Sequence, residues 1–174
     1  YLADPAAVCD LAENAPNIIE ELLADGMSFT LNSEGRPDVR AFGGQSVRRT
    51  YYAASNTGRQ LMYTLMDQTR RYEADGLIHR LTGWLFLRLL WKEKQVCGCV
   101  LTHINTGEEK VLHGKVIMAS GGLNGMFGNA TGSVRNTGSV TASLFADGIA
   151  IANGEFIQYH PTTVRLHGKN MLIT

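Results

Sequence analysis

Lys115-Val116-Ile117-Met118-Ala119-Ser120-Gly121-Gly122 decides how the rest of the chain is read, because a continuous apolar run ends there in a serine and two glycines. Such a run has the look of a parallel strand buried on both faces, and carboxyl ends of those strands are where α/β sheets bind cofactors. The fold class this predicts is α/β. The loop that follows carries Gly121, Gly122, Gly125, Gly128 and Gly132. Their spacing is not G-x-G-x-x-G and no helix opens at the third glycine, so the loop by itself is a weak cofactor signal.

Downstream, Thr137-Gly138 predicts the opening of a helix that runs through Ala142, Phe145 and Ala146 to Asn153, its small residues suited to close packing on a sheet. Glu155-Phe156-Ile157-Gln158-Tyr159-His160-Pro161-Thr162 then reads as a strand. Phe156, Gln158 and His160 share one face, and Ile157 and Tyr159 share the other. Pro161 excludes the helical region for His160 and holds it extended at the strand end. Two readings stand for that histidine: a core residue with a hydrogen-bonded ring, or a side chain presented to a ligand.

Upstream, residues 84–91, 96–104 and 110–112 read as a β-meander, broken at Lys92-Glu93-Lys94 and Asn105-Thr106-Gly107, with Arg88 marking an exposed face. Before it, Ser55 or Asn56 caps a helix to about Tyr72, with Leu61, Leu65 and Thr69 on one side and Arg70 and Arg71 in its last turn. Thr50-Tyr51-Tyr52 is strand-like. Residues 27–39 form a strand, the turn Asn32-Ser33-Glu34-Gly35, and a return made an edge by Pro37. In Phe42-Gly43-Gly44-Gln45-Ser46, paired glycines beside an aromatic mark either a close backbone approach or a plain turn. At the start, Asp4-Pro5 opens one helix to about Glu13. Asn14 with Pro16 opens a second, whose stripe of Ile18, Ile19, Leu22 and Leu23 ends at Gly26.

The composition bounds what these elements can do. With 174 residues, 44% hydrophobic and 18% charged, the chain is long enough for a sizeable core and too apolar to be disordered. Its 16 basic and 16 acidic residues cancel, which argues against nucleic acid as a partner. No run reaches the roughly 18 to 20 apolar residues of a membrane helix and no secretory signal is present, so a reducing cytoplasmic setting is expected. Cys9, Cys97 and Cys99 are too few for a disulfide framework and read as core residues. The five histidines lack zinc-site spacing, so no metal is expected. A chain that begins at Tyr1 and stops at Thr174 just after Met171-Leu172-Ile173 reads as a piece of a longer protein.

Several of these segments together resemble the flavoprotein subunit of succinate dehydrogenase and fumarate reductase, a family that includes L-aspartate oxidase. The likeness runs through Glu34-Gly35, Arg40-Ala41-Phe42-Gly43-Gly44-Gln45-Ser46, Ala53-Ala54, Thr57-Gly58, the stretch from Val116 to Gly122, Asn136-Thr137-Gly138, the stretch from Glu155 to Thr162, and Leu172-Ile173-Thr174. It implies residues 1–153 as the middle of a Rossmann-like FAD-binding domain and residues 154–174 as the start of a substrate-capping domain. The implied cofactor is FAD and the implied chemistry is hydride transfer between flavin N5 and a four-carbon dicarboxylate, succinate or fumarate. By match of motif, His160 and Thr174 would hold the substrate carboxylates and Phe42 would lie near the substrate. Ala119, Ser120, Gly121 and Gly122 would pass close to FAD, Phe86 and Leu87 would flank its adenine, and Ser139 would stand where the family has an aspartate.

That last position is a departure. The family reads Thr-Gly-Asp-Gly where this chain has Thr137-Gly138-Ser139-Val140, and a serine can hydrogen-bond but cannot supply a carboxylate. The resemblance also implies an iron–sulfur partner subunit and a place on the inner face of the cytoplasmic membrane through it. The alternatives are L-aspartate oxidase, and a degenerate non-catalytic flavoprotein kept for binding. In the leading reading the parent is the enzyme and this portion alone is inactive.

Overall fold

The computed structural model describes residues 2–173, in two compact units that divide between Arg80 and Leu81. In the first unit, Asp4 accepts the Ala6 amide at 2.9 Å, Pro5 takes the first helical position, and α1 runs Pro5–Ala24 without a break. The sequence predicts two helices here. Pro16 lacks a donor and its ring crowds the preceding turn, yet the helix continues. Asn14 turns its amide back onto the Asp10 carbonyl (2.8 Å) and carboxylate (2.9 Å) in place of capping a new helix. No side chain of α1 is buried, so Cys9 is exposed and not in a core.

After α1 the chain folds against itself. Met27 and Phe29 are buried, Asn32 Oδ1 accepts the amides of Glu34 and Arg36, and Leu31 bridges to Pro37 as the predicted turn requires. Strand β1, Val39–Arg40, pairs antiparallel with β2, Thr50–Tyr51, and the Thr30 backbone bonds both Asp38 and Tyr52. Helix α2 is Thr57–Ala74. Asn56 occupies its N-cap without a side-chain cap bond; Thr57 Oγ1 instead accepts the Ala53 amide at 3.0 Å.

The second unit is built on the predicted meander: β3, Trp84–Lys92, β4, Gln95–His103, and β5, Glu109–His113, all antiparallel. Val100, the fully buried side chain of the chain's described residues, lies at its middle strand, with Leu89 on β3 nearly as buried. Gly98 lets β4 and β5 close, because a Cβ there would lie 2.1 Å from the Leu112 carbonyl oxygen. Cys97 and Cys99 are half-buried, the Cys97 sulfur facing the Leu90 carbonyl at 3.5 Å.

Three expectations fail in this unit, the first two of them for one reason. Residues 115–119 form no strand: Ile117 is 91% exposed, and among the described residues no strand pairs with them. A strand exists only through a partner's donors and acceptors, and an apolar run cannot supply those itself. The alternation survives nonetheless, with Val116 and Met118 lining an apolar groove of about 460 Å³ together with Leu89, Val96, Leu144 and Ile149. Residues 155–162 are likewise irregular, with Phe156, Ile157 and Tyr159 exposed. Helix α3, Ser139–Ala146, opens at Gly138 as predicted but ends seven residues short of Asn153. At its end the amides of Gly148 and Ile149 close back on Phe145 and Leu144. The unit finishes in a hairpin the sequence did not announce, β6, Thr163–Leu166, and β7, Lys169–Leu172, turning through His167 and Gly168. No described helix is long and apolar enough to cross a membrane.

Candidate functional site

The glycine loop after Ala119 and the approach to α3 meet to form a small cleft. The Gly125 amide donates to the Asn136 carbonyl at 2.8 Å, and a Cβ on Gly125 would lie 2.4 Å from the Val134 carbonyl oxygen. Gly138, at φ +73°, sits against Leu123 and Met126 so closely that a Cβ would be 2.8 Å from one and 3.0 Å from the other. Gly125 and Gly138 are therefore required by the chain's own packing.

The cleft is lined by Ser120, Gly122, Arg135, Asn136, Thr137, Gly138, Ser139 and Val140, and its volume is about 70 Å³. This is room for a small group, one end of a large ligand. The first bond of α3 runs from the Ala142 amide to the Gly138 carbonyl, so the amides of residues 139–141 have no partner within the helix. Ser139 and Val140, which carry two of these amides, line the cleft with Ser120 and Arg135, a set of donors and one cation without a carboxylate, which suits an oxygen-rich or anionic group.

Of the residues the sequence singles out for a cofactor, Ser120, Gly122 and Ser139 come together here from two separate stretches, with Ala119 and Gly121 in the same loop. Phe86, half-buried, and Leu87, exposed, stand on β3 outside the lining. His160 is half-buried and also outside it. Its Nδ1 lies 3.0 Å from the Thr162 carbonyl oxygen and 3.3 Å from the Thr162 amide. Phe42 belongs to the first unit and is 55% exposed, and Thr174 lies outside the described residues. Arg135 and Asn136 were not singled out as cleft residues, although they immediately precede Thr137-Gly138. Among the described residues no three His, Cys, Asp or Glu side chains gather as a metal site.

A mixed α/β fold carrying a donor-lined cleft at a glycine loop defines a cofactor-binding domain, and the comparisons make the class specific. A family model described as FAD binding domain matches residues 1–174. The succinate dehydrogenase flavoprotein subunit of Bacillus subtilis is 42% identical over 166 residues, which cover 94% of this chain and 28% of that protein. A fumarate reductase flavoprotein subunit of Mycobacterium tuberculosis is 34% identical over 175 residues, all of this chain and 29% of that one. Among solved structures, E. coli quinol fumarate reductase FrdA superposes with a TM-score of 0.85 at 27% identity, over 93% of this chain and 27% of that one. Mycobacterium smegmatis Sdh1 gives 0.81 at 27% identity, over 94% and 29%.

The chain belongs to the FAD-binding domain family, and succinate dehydrogenase and fumarate reductase flavoproteins are among the proteins it is similar to. Its cofactor is FAD. It spans less than a third of the length of these relatives. The cleft's donor set fits an oxygen-rich part of that cofactor, with Ser120, Ser139, Arg135 and the α3 amides as the groups that would hold it.

Proposed function

We propose that this chain is the central portion of a flavoprotein that interconverts succinate and fumarate, with residues 1–153 in its FAD-binding domain and residues 154–174 opening the domain that caps the substrate. The observation that carries the reading is the cleft, where two stretches assigned separately to FAD meet around Ser120, Gly122 and Ser139. Bound FAD supplies the hydride acceptor or donor, at N5. The chain's own residues bind and orient.

His160 is the group for a substrate carboxylate. Thr162 offers its Nδ1 both an acceptor, the carbonyl at 3.0 Å, and a donor, the amide at 3.3 Å. A ring that accepts the Thr162 amide at Nδ1 carries its proton on Nε2, ready to donate to a carboxylate. An imidazolium does the same while donating Nδ1–H to the Thr162 carbonyl. Thr174 would add a hydroxyl to the carboxylate pair and Phe42 would pack against the carbon chain. Phe86 and Leu87 would flank the adenine.

An iron–sulfur subunit is the partner this reading implies, with the flavoprotein peripheral to the inner face of the cytoplasmic membrane through it. The chain alone would be inactive. Expression of the full-length flavoprotein tests the function: it should carry stoichiometric flavin, reduce fumarate with a reduced dye and oxidise succinate with an oxidised one. A flavin-loaded protein inert towards both dicarboxylates, or one that oxidises L-aspartate instead, would overturn it.

A further inference from the structure

We propose that Arg40 is a positioning residue that sets the orientation of the Phe42 ring, and through it the fit of the dicarboxylate. The inference rests on the reading that Phe42 lies beside the substrate.

Arg40 is exposed on β1, its backbone fixed by pairing with Thr50. An arginine at a surface normally finds a carboxylate, and Asp38 is two residues away. Asp38 is otherwise engaged: its carboxylate accepts the Tyr52 hydroxyl and the Val39 amide, each at 2.9 Å. Among the described residues Arg40 forms no ion pair. Its guanidinium lies instead 5.1 Å from the centre of the Tyr52 ring and 6.0 Å from that of Phe42, within the range of about 6 Å over which a cation is drawn to a ring.

The result is a chain of contacts, Asp38 to Tyr52 to Arg40 to Phe42, in which each group is held by the one before. The hydrogen bond to Asp38, aided by burial and the carboxylate's charge, pushes the Tyr52 hydroxyl above its ordinary 10, so the phenol stays protonated as the donor. The backbone of the Phe42 loop is fixed separately. The Gln45 amide donates to the Phe42 carbonyl at 3.1 Å, and Gln45 Oε1 accepts the Thr50 hydroxyl at 3.1 Å. Neither bond restrains the Phe42 side chain. The ring is 55% exposed, and Arg40 is the cation that holds it.

The test uses the full-length, FAD-loaded flavoprotein and two readouts: kcat and KM for succinate and fumarate, and the Kd of malonate, a dicarboxylate that cannot be dehydrogenated, followed by the flavin absorbance change. Arg40→Gln should raise the malonate Kd and the substrate KM by about threefold to tenfold, with kcat and flavin content nearly unchanged. Arg40→Lys, which keeps the charge but not the planar guanidinium, should recover part of the loss. Phe42→Ala by itself should raise both the Kd and the KM, and Arg40→Gln added to it should change nothing further. Two outcomes overturn the inference: equal effects of Arg40→Gln with and without the Phe42 ring, or no effect of Arg40→Gln where Phe42→Ala has one. A Phe42→Ala variant with unchanged Kd would instead sink the placement of Phe42 beside the substrate.

Discussion

At the scale of single residues, the site is a matter of which polar atoms have partners. His160 is held by Thr162 from within its own segment, so removing its ring disturbs little else. In the full-length enzyme His160→Ala should lower kcat/KM for both dicarboxylates by about tenfold to a hundredfold, the worth of a charge-assisted hydrogen bond of about 1.5 to 3 kcal/mol. Flavin content and melting temperature should hold. Full activity with a depressed melting point would make His160 a structural residue. Ser139 stands at the first position of α3 and lines the cleft, where a carboxylate also suits the helix amino terminus. Ser139→Asp, which would offer a charged acceptor to the hydroxyls of FAD, should tighten FAD by roughly tenfold, measured by flavin release on dilution; weaker binding would mean the cleft holds an anionic part of the cofactor, which a carboxylate repels.

Each of the three helices owes its end to the same four-residue device. Ala24-Asp25-Gly26-Met27, Ala74-Asp75-Gly76-Leu77 and Ala146-Asp147-Gly148-Ile149 all close with paired backbone bonds onto the last turn. In the third, Asp147 also accepts the Leu89 amide at 2.8 Å and ties α3 to the meander. The opening of α3 is the more exposed to mutation. Gly138→Ala combines a left-handed φ with a Cβ 2.8 Å from Leu123, and should destabilise the protein by roughly 1 to 3 kcal/mol, read as a lowered melting temperature. An unchanged melting temperature would show that the loop simply moves aside. Beyond α2, Arg80 grips Glu73 through two bonds of 2.7 and 2.8 Å. The Arg80 hydrogen bonds hold the Glu73 carboxyl below its ordinary 4.5. A carboxyl lowered in the folded state contributes stability above its ordinary value and loses it as pH falls through the lowered one. Glu73→Gln should thus lower the melting temperature at pH 7 and matter progressively less as pH falls below the ordinary carboxylate range; an effect that does not change with pH would assign the loss to packing.

At the scale of the whole molecule, the described residues bury few apolar side chains: Met27, Phe29, Ala53, Leu89 and Val100. Ile117, Phe145, Phe156 and Tyr159 are among the large apolar side chains left exposed. The chain expressed alone should bind a hydrophobic dye, self-associate at micromolar concentration and lose FAD on gel filtration. A monodisperse yellow species would refute this. By itself the sequence determined the pieces whose bonds close within a few residues: the caps at Asp4 and Gly26, the Asn32 turn, the meander and the opening of α3 at Gly138. It also determined the family, because motifs such as Phe42-Gly43-Gly44-Gln45-Ser46 and Asn136-Thr137-Gly138 are read residue by residue. Only the tertiary structure decided that Arg135 and Asn136 join Ser120 and Ser139 around one cleft, that Arg40 faces two rings and not Asp38, and that residues 115–119 form no strand. Those outcomes depend on groups distant in the chain. A ladder or a cleft wall needs a partner whose position no local pattern records, whereas a cap or a turn carries its partner with it.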